Sequence, residues 1–235
     1  MQKYLNETKL LDFSNKRIQQ LIKERNWKDL DLKEQIKAIY LFVRDEMAFG
    51  YNLHDEIPAS KVLKDGYGQC NTKSTLLMAL LRVLDIPCRF HGFTIDKALQ
   101  QGAIKGIWYK LAPQNIVHSW VEVFYKNQWF HLEGVILDRK YLEQLQNKFS
   151  DCNKTFCGYG AFTDNFRNPE IDWQENHTYI QKLGINQDFG LFDNPDSFYK
   201  DHGQDLSFLK SVLFRNLIRH LMNKNVNRIR TNRTD

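Results

Sequence analysis

Residues 72–84 constrain the fold most, because they are apolar on nearly every side of a helix, with Leu76, Leu77, Met78, Ala79, Leu80 and Leu81 in succession. A helix that is apolar all round has to be buried. The rest of the chain must therefore wrap this element. Directly before it stands Gly66-Tyr67-Gly68-Gln69-Cys70, so a cysteine sits where a glycine-rich turn meets the first turn of the helix. That turn carries unpaired backbone N–H groups and the positive end of the helix dipole. Both favour thiolate over thiol. The same N–H groups can hold an oxyanion that develops during attack. The alternative is a small buried hydrophobe, a common fate of free cysteines.

A thiol nucleophile needs a base, and the base needs an orienting acid. His118-Ser119-Trp120-Val121-Glu122-Val123-Phe124-Tyr125 alternates and is rich in β-branched and aromatic residues, the pattern of a strand. Lys126-Asn127 reads as a two-residue hairpin loop, and Gln128-Trp129-Phe130-His131-Leu132-Glu133 as the returning strand. With that loop Tyr125 pairs with Gln128, Trp120 with Glu133 and His118 with Val135. His118, Trp120, Glu122, His131 and Glu133 then share one face. His118 and Glu133 become diagonal neighbours about 7–8 Å apart at the backbone. His131 is a second candidate for the base and Asp138 for the acid. Glu122 reads as a strand carboxylate with a structural partner.

Taken together, Gly-Gln-Cys opening a helix, Leu84-Asp85-Ile86-Pro87-Cys88-Arg89, His118-Ser119-Trp120 and an aromatic strand ending in an acid resemble the transglutaminase-like superfamily over roughly residues 35–140. The resemblance implies an α+β, papain-like core in which the helix bearing the nucleophile packs on an antiparallel sheet. It implies catalytic roles for Cys70, His118 and Glu133. It also implies a cysteine-dependent acyl transfer on protein or peptide carboxamides through a thioester, with water as acceptor in a protease or amidase variant. A relative that has lost catalysis and binds peptides is the other alternative. Gln69 and Trp120 are candidate substrate contacts. The sequence departs from the family in two places. Glu133 stands where Asp is usual, so Glu133→Asp is expected to be mild. Asp85 replaces a customary Gly at the helix exit.

Composition agrees with a globular enzyme. The 235 residues are 42% apolar and 13% aromatic, enough for a substantial core. The four cysteines, Cys70, Cys88, Cys152 and Cys157, lack zinc-site spacing, and the dispersed Asp193, Asp196 and Asp201 do not make a calcium loop. No metal and no cofactor is expected. No stretch reads as a signal peptide or a membrane span, which points to a reducing cytoplasm and no membrane partner. The entire formal charge of +5 lies from Arg215 onward. A nucleic-acid arm is one explanation. The favoured one is a docked helix with Leu209, Val212, Leu213, Leu217 and Leu221 as its apolar stripe, its cations suiting the C-terminal dipole end. Nucleic acid is therefore an unexpected partner.

Periodicity predicts helices over 15–25, 32–47, 60–64, 72–84 and 141–149, a strand over 88–94 and a site-facing loop over 97–114. Residues 1–145 read as the core with its N-terminal helices, and 146–235 as an aromatic-rich extension ending in the basic helix. Between 150 and 203 periodicity fades while aromatic residues persist, so this segment is expected to wrap the core.

Overall fold

The computed structural model describes residues 1–203 and 213–232. Three helices precede Cys70: α1 (Lys16–Arg25), α2 (Leu32–Leu41) and α3 (Ala59–Asp65). Asn15 caps α1 by accepting from Arg17 N, and Asp31 caps α2 by accepting from Glu34 N. These bonds satisfy N–H groups that a helix start leaves free. The predicted helix over 32–47 ends early as an α-helix, and its last turn, Phe42–Glu46, is a π turn.

The central helix α4 spans Cys70–Arg82, every residue of it buried. It packs on β3 (Cys88–Asp96) and β4 (Asn115–Tyr125). Two short parallel strands, β1 (Ala48–Phe49) and β2 (Tyr67–Gly68), lead into it. Strand β5 (Gln128–His131) pairs with β4 in the expected register, Tyr125 opposite Gln128 and Glu122 opposite His131. Lys126 and Asn127 take positive φ, as the hairpin loop requires.

Beyond His131 the expected register is lost. Leu132 still donates to Val121 O, but Glu133–Val135 form a 3-10 turn instead of continuing the strand. Leu132 bridges to Thr178, and Glu133 N donates to Thr178 O. The returning chain is thus captured by a later segment.

The segment from 150 to 203 contains more regular structure than its sequence suggested. After α6 (Arg139–Lys148) come the small hairpin strands β6 (Phe156–Gly158) and β7 (Ala161–Thr163). Strand β8 (Ile185–Phe192) then joins the main sheet, whose order is β5-β4-β3-β8, antiparallel throughout. Helix α7 (Pro195–His202) buries Phe198 against Phe90. The segment over 97–114 is a 3-10 turn, Lys97–Gln100, followed by the short helix α5 (Ile107–Leu111).

The C-terminal helix Arg219–Arg230 docks through a different face from the one expected. Leu217 and Leu221 remain exposed, while Met222 and Val226 are buried, with Phe214, Ile218 and Ile229 packed beside them. Phe214, Ile218, Met222 and Val226 recur every four residues, so the true stripe is displaced by one position from the leucines. Leu209 and Val212 lie outside the described residues.

Candidate active site

The local sequence before Cys70 has a direct structural reading. Gly66 ends α3 with φ 72°, a conformation that a residue with Cβ adopts at a cost. A Cβ on Gly68 would stand 2.6 Å from Thr72 Oγ1, so only glycine lets β2 pass this close to the start of α4. Thr72 Oγ1 accepts from Gln69 N at 3.1 Å and donates to Asn52 Oδ1 at 2.7 Å. Cys70 is thereby held as the first residue of α4.

The imidazole of His118 lies between a thiol and a carboxylate, and both His118 and Glu133 are fully buried. Its Nε2 is 2.9 Å from Glu133 Oε1. Nδ1 is buried without a well-formed hydrogen bond and is the ring nitrogen left for the thiol. Burial alone would lower the imidazole's pKa. The charge and proximity of Cys70, reinforced by Glu133, outweigh it and raise the value to about 9.

Glu133 is fixed at both oxygens. Its Oε2 accepts from three consecutive backbone N–H groups: Ile180 at 2.8 Å, Gln181 at 2.9 Å and Lys182 at 3.1 Å. This row of amides is a built anion cradle. It explains how an acid that has left its strand still meets His118. The predicted contact is present, but the later chain makes it and not the hairpin. Thr178 ties the same segment down, its Oγ1 accepting from Gly134 N at 3.1 Å. No motif within 178–182 marked it in the sequence, because backbone donors carry no residue signature.

The other candidates have structural occupations elsewhere. Asp138 accepts from Phe49 N, Tyr141 N and Arg230, away from His118. The Asp138 carboxyl would rise on burial, but Arg230 holds it below the usual carboxylate range. His131 meets Tyr179 Oη and Glu122. Burial outweighs the pull of Glu122 and lowers its pKa to about 4. Glu122 also binds Arg89 and His91, as a structural carboxylate would. Gln69 borders the cleft, yet Asn52 N donates to its Oε1 and its Nε2 donates to Asp55, so both amide atoms serve the helix start. Trp120 does not line the cleft: it is buried on the same face of the sheet as His118, its ring between those of His131 and Phe93.

A cleft of about 590 Å³ opens over Cys70. Its walls include residues 49–56, the 95–117 stretch with Trp108, and the C-terminal segment with Ile218 and Met222. Its walls are mainly apolar, with Tyr51, Gln100 and Cys70 among its lining groups. Among the described residues no cluster of His, Cys, Asp or Glu could hold a metal ion, and no helix is long and apolar enough to cross a membrane.

A buried thiol, imidazole and carboxylate stand in a row, with the thiol at a helix start beneath a cleft, an arrangement chemically suited to thiol nucleophilic catalysis. Residues 19–134 match the Transglutaminase-like superfamily. No curated protein matches the chain. One similar solved structure is the crystal structure of a "Putative Cysteine Protease" from Cytophaga hutchinsonii, 13% identical with a TM-score of 0.45. The match covers 82% of this chain and 47% of that one.

Proposed function

We propose that the protein transfers acyl groups from protein or peptide carboxamides through a thioester on Cys70. The observation that carries this reading is the buried His118 imidazole, held at Nε2 by Glu133 Oε1 at 2.9 Å and placed beside Cys70. A protonated imidazole beside the sulfur favours attack as the thiolate. The thiolate attacks the carbonyl carbon. His118 then protonates the departing amine as general acid, and Glu133 orients and stabilises the imidazolium. In the second half-reaction His118 takes a proton from the acceptor, which attacks the thioester and frees Cys70. An amine acceptor makes the enzyme a transferase, and water makes it a hydrolase. All four cysteines are free, which suits a reducing compartment such as the cytoplasm.

Intact-mass analysis tests this reading. The protein is incubated with a glutamine-containing protein, with and without an added primary amine. An amine-dependent adduct on the substrate, absent with Cys70→Ala, is expected. Deamidation or cleavage regardless of amine would mean that water is the acceptor. No change in the substrate under any condition would contradict the catalytic reading and favour the peptide-binding relative.

A further inference from the structure

Attack by the Cys70 thiolate leaves negative charge on the former carbonyl oxygen, and one N–H donor at the helix start is a sparse cradle for it. A second donor is expected within the cleft. Gln100 meets the requirement. It is 8% exposed and lines the same cleft as Cys70. Tyr51 Oη donates to Gln100 Oε1 at 2.6 Å. With Oε1 taken by the phenol proton, Nε2 is presented as the donor end of the amide. Nε2 has no hydrogen-bond partner among the described residues and is not sealed off from the cleft.

Tyr51 brings this arrangement to the nucleophile. It packs in one buried cluster with Cys70. Burial, followed by the charge of Cys70, pushes the Tyr51 hydroxyl far above its usual range, which keeps it a donor at every working pH. The backbone holds Gln100 firmly: Ile104 N donates to its carbonyl at 2.9 Å, and the adjacent Leu99 and Gln101 carbonyls accept from Gly160 N and Tyr159 N, each at 2.7 Å.

We propose that Gln100 Nε2 is the second oxyanion donor of this site, oriented by Tyr51. This rests on the thiol-enzyme reading of Cys70. As the C–S bond forms, the carbonyl π pair moves to oxygen, and Cys70 N–H and Gln100 Nε2–H donate to it. As the C–N bond breaks, that pair returns to the carbonyl and the amine leaves with the proton from His118. Tyr51 acts only through Gln100.

The test compares two reactions of the same thiolate. Hydrolysis of p-nitrophenyl acetate passes through an oxyanion, and alkylation by iodoacetamide does not. Gln100→Met keeps the side-chain length and removes the donor. It should lower kcat for the ester by about a hundredfold with KM little changed, while Cys70 alkylates at the unaltered rate. Tyr51→Phe, which frees the amide to turn, should cause a smaller loss of kcat with alkylation equally preserved. Ester turnover retained by Gln100→Met overturns the proposal, as does a parallel loss of alkylation, which would mean a damaged site. Absence of Cys70-dependent turnover in the unaltered protein overturns the thiol-enzyme reading and the proposal with it, and is seen before any variant is compared.

Discussion

At the scale of single residues, the buried imidazole sets the chemistry. His118 is raised from 6.5 to about 9, so its protonated state is favoured by folding. The stabilisation that this supplies is fully present below about pH 6.5 and is lost as pH rises through about 9. The general acid disappears over the same window. The rate of thioester formation from an amide, whose amine leaves only with a proton, should therefore fall on an alkaline limb centred near pH 9, measured by single-turnover acylation with a peptide amide substrate. A limb near pH 6.5 would mean that the imidazole does not feel the thiolate.

The acid makes a sharper prediction. Both Glu133 oxygens are in use, one on His118 and the other on three backbone N–H groups. Glu133→Gln keeps the shape and removes the charge. It should cut turnover by about three to four orders of magnitude with the fold retained by circular dichroism. The sequence suggested that Glu133→Asp would be nearly neutral. The Glu133 contacts argue for a larger effect, since one carboxylate spans from the amide cradle to the imidazole and a side chain one methylene shorter would have to give up one of the two. A loss of about a hundredfold is expected. Near-wild-type activity in Glu133→Asp would show that the cradle does not set the imidazole's position.

At the scale of elements, legibility followed how local the signal was. The hairpin was readable because Lys126-Asn127 fixes its own turn and the alternation of 118–125 fixes the facing residues. The helix after Cys70 was readable from a run of apolar residues that only burial accommodates. Strand β8 was not: its Ile185–Phe192 run mixes Asn, Gln, Asp and Gly with apolar residues, and β3 supplies what its periodicity lacks. The turn at Glu133–Val135 was hidden because its cause, Thr178, lies over forty residues away in sequence. The C-terminal helix was found but rotated, because its leucines are more conspicuous than Met222 and Val226. Its attachment is polar as well as apolar. Arg230 donates to Asp138 Oδ2 at 2.7 Å and to Phe49 O at 2.6 Å, and Asn223 bonds both the N–H and the carbonyl of Tyr51. Arg230→Met would leave the Asp138 carboxylate buried without its cation. A loss of about 3 kcal/mol in urea unfolding at pH 7 is expected. Asp138 is depressed in the folded state, so this stabilisation is present above the ordinary carboxylate range and lost as pH falls through the folded value. The deficit should therefore shrink in acid. An equal deficit at all pH values would assign the effect to packing alone.

At the scale of the whole molecule, the site is assembled from distant parts. Cys70 comes from α4, His118 from β4, Glu133 from the turn after β5, and the cradle for its carboxylate from residues 180–182. The C-terminal helix closes one wall of the cleft. Much of the chain beyond residue 145 thus supports the site that the earlier residues define. The central claim is that Cys70 is activated, and competitive labelling with limiting iodoacetamide at pH 7, read by peptide mapping, tests it most directly. Access and activation predict opposite orders. Cys157 is exposed and Cys152 half-buried, whereas Cys70 is only 8% exposed and Cys88 is fully buried, its thiol pushed up to about 11 by that burial. Cys70 is expected to label first, well ahead of Cys157, and His118→Ala to abolish the lead. Labelling in order of exposure, with Cys157 first and Cys70 unaffected by His118→Ala, would contradict that claim.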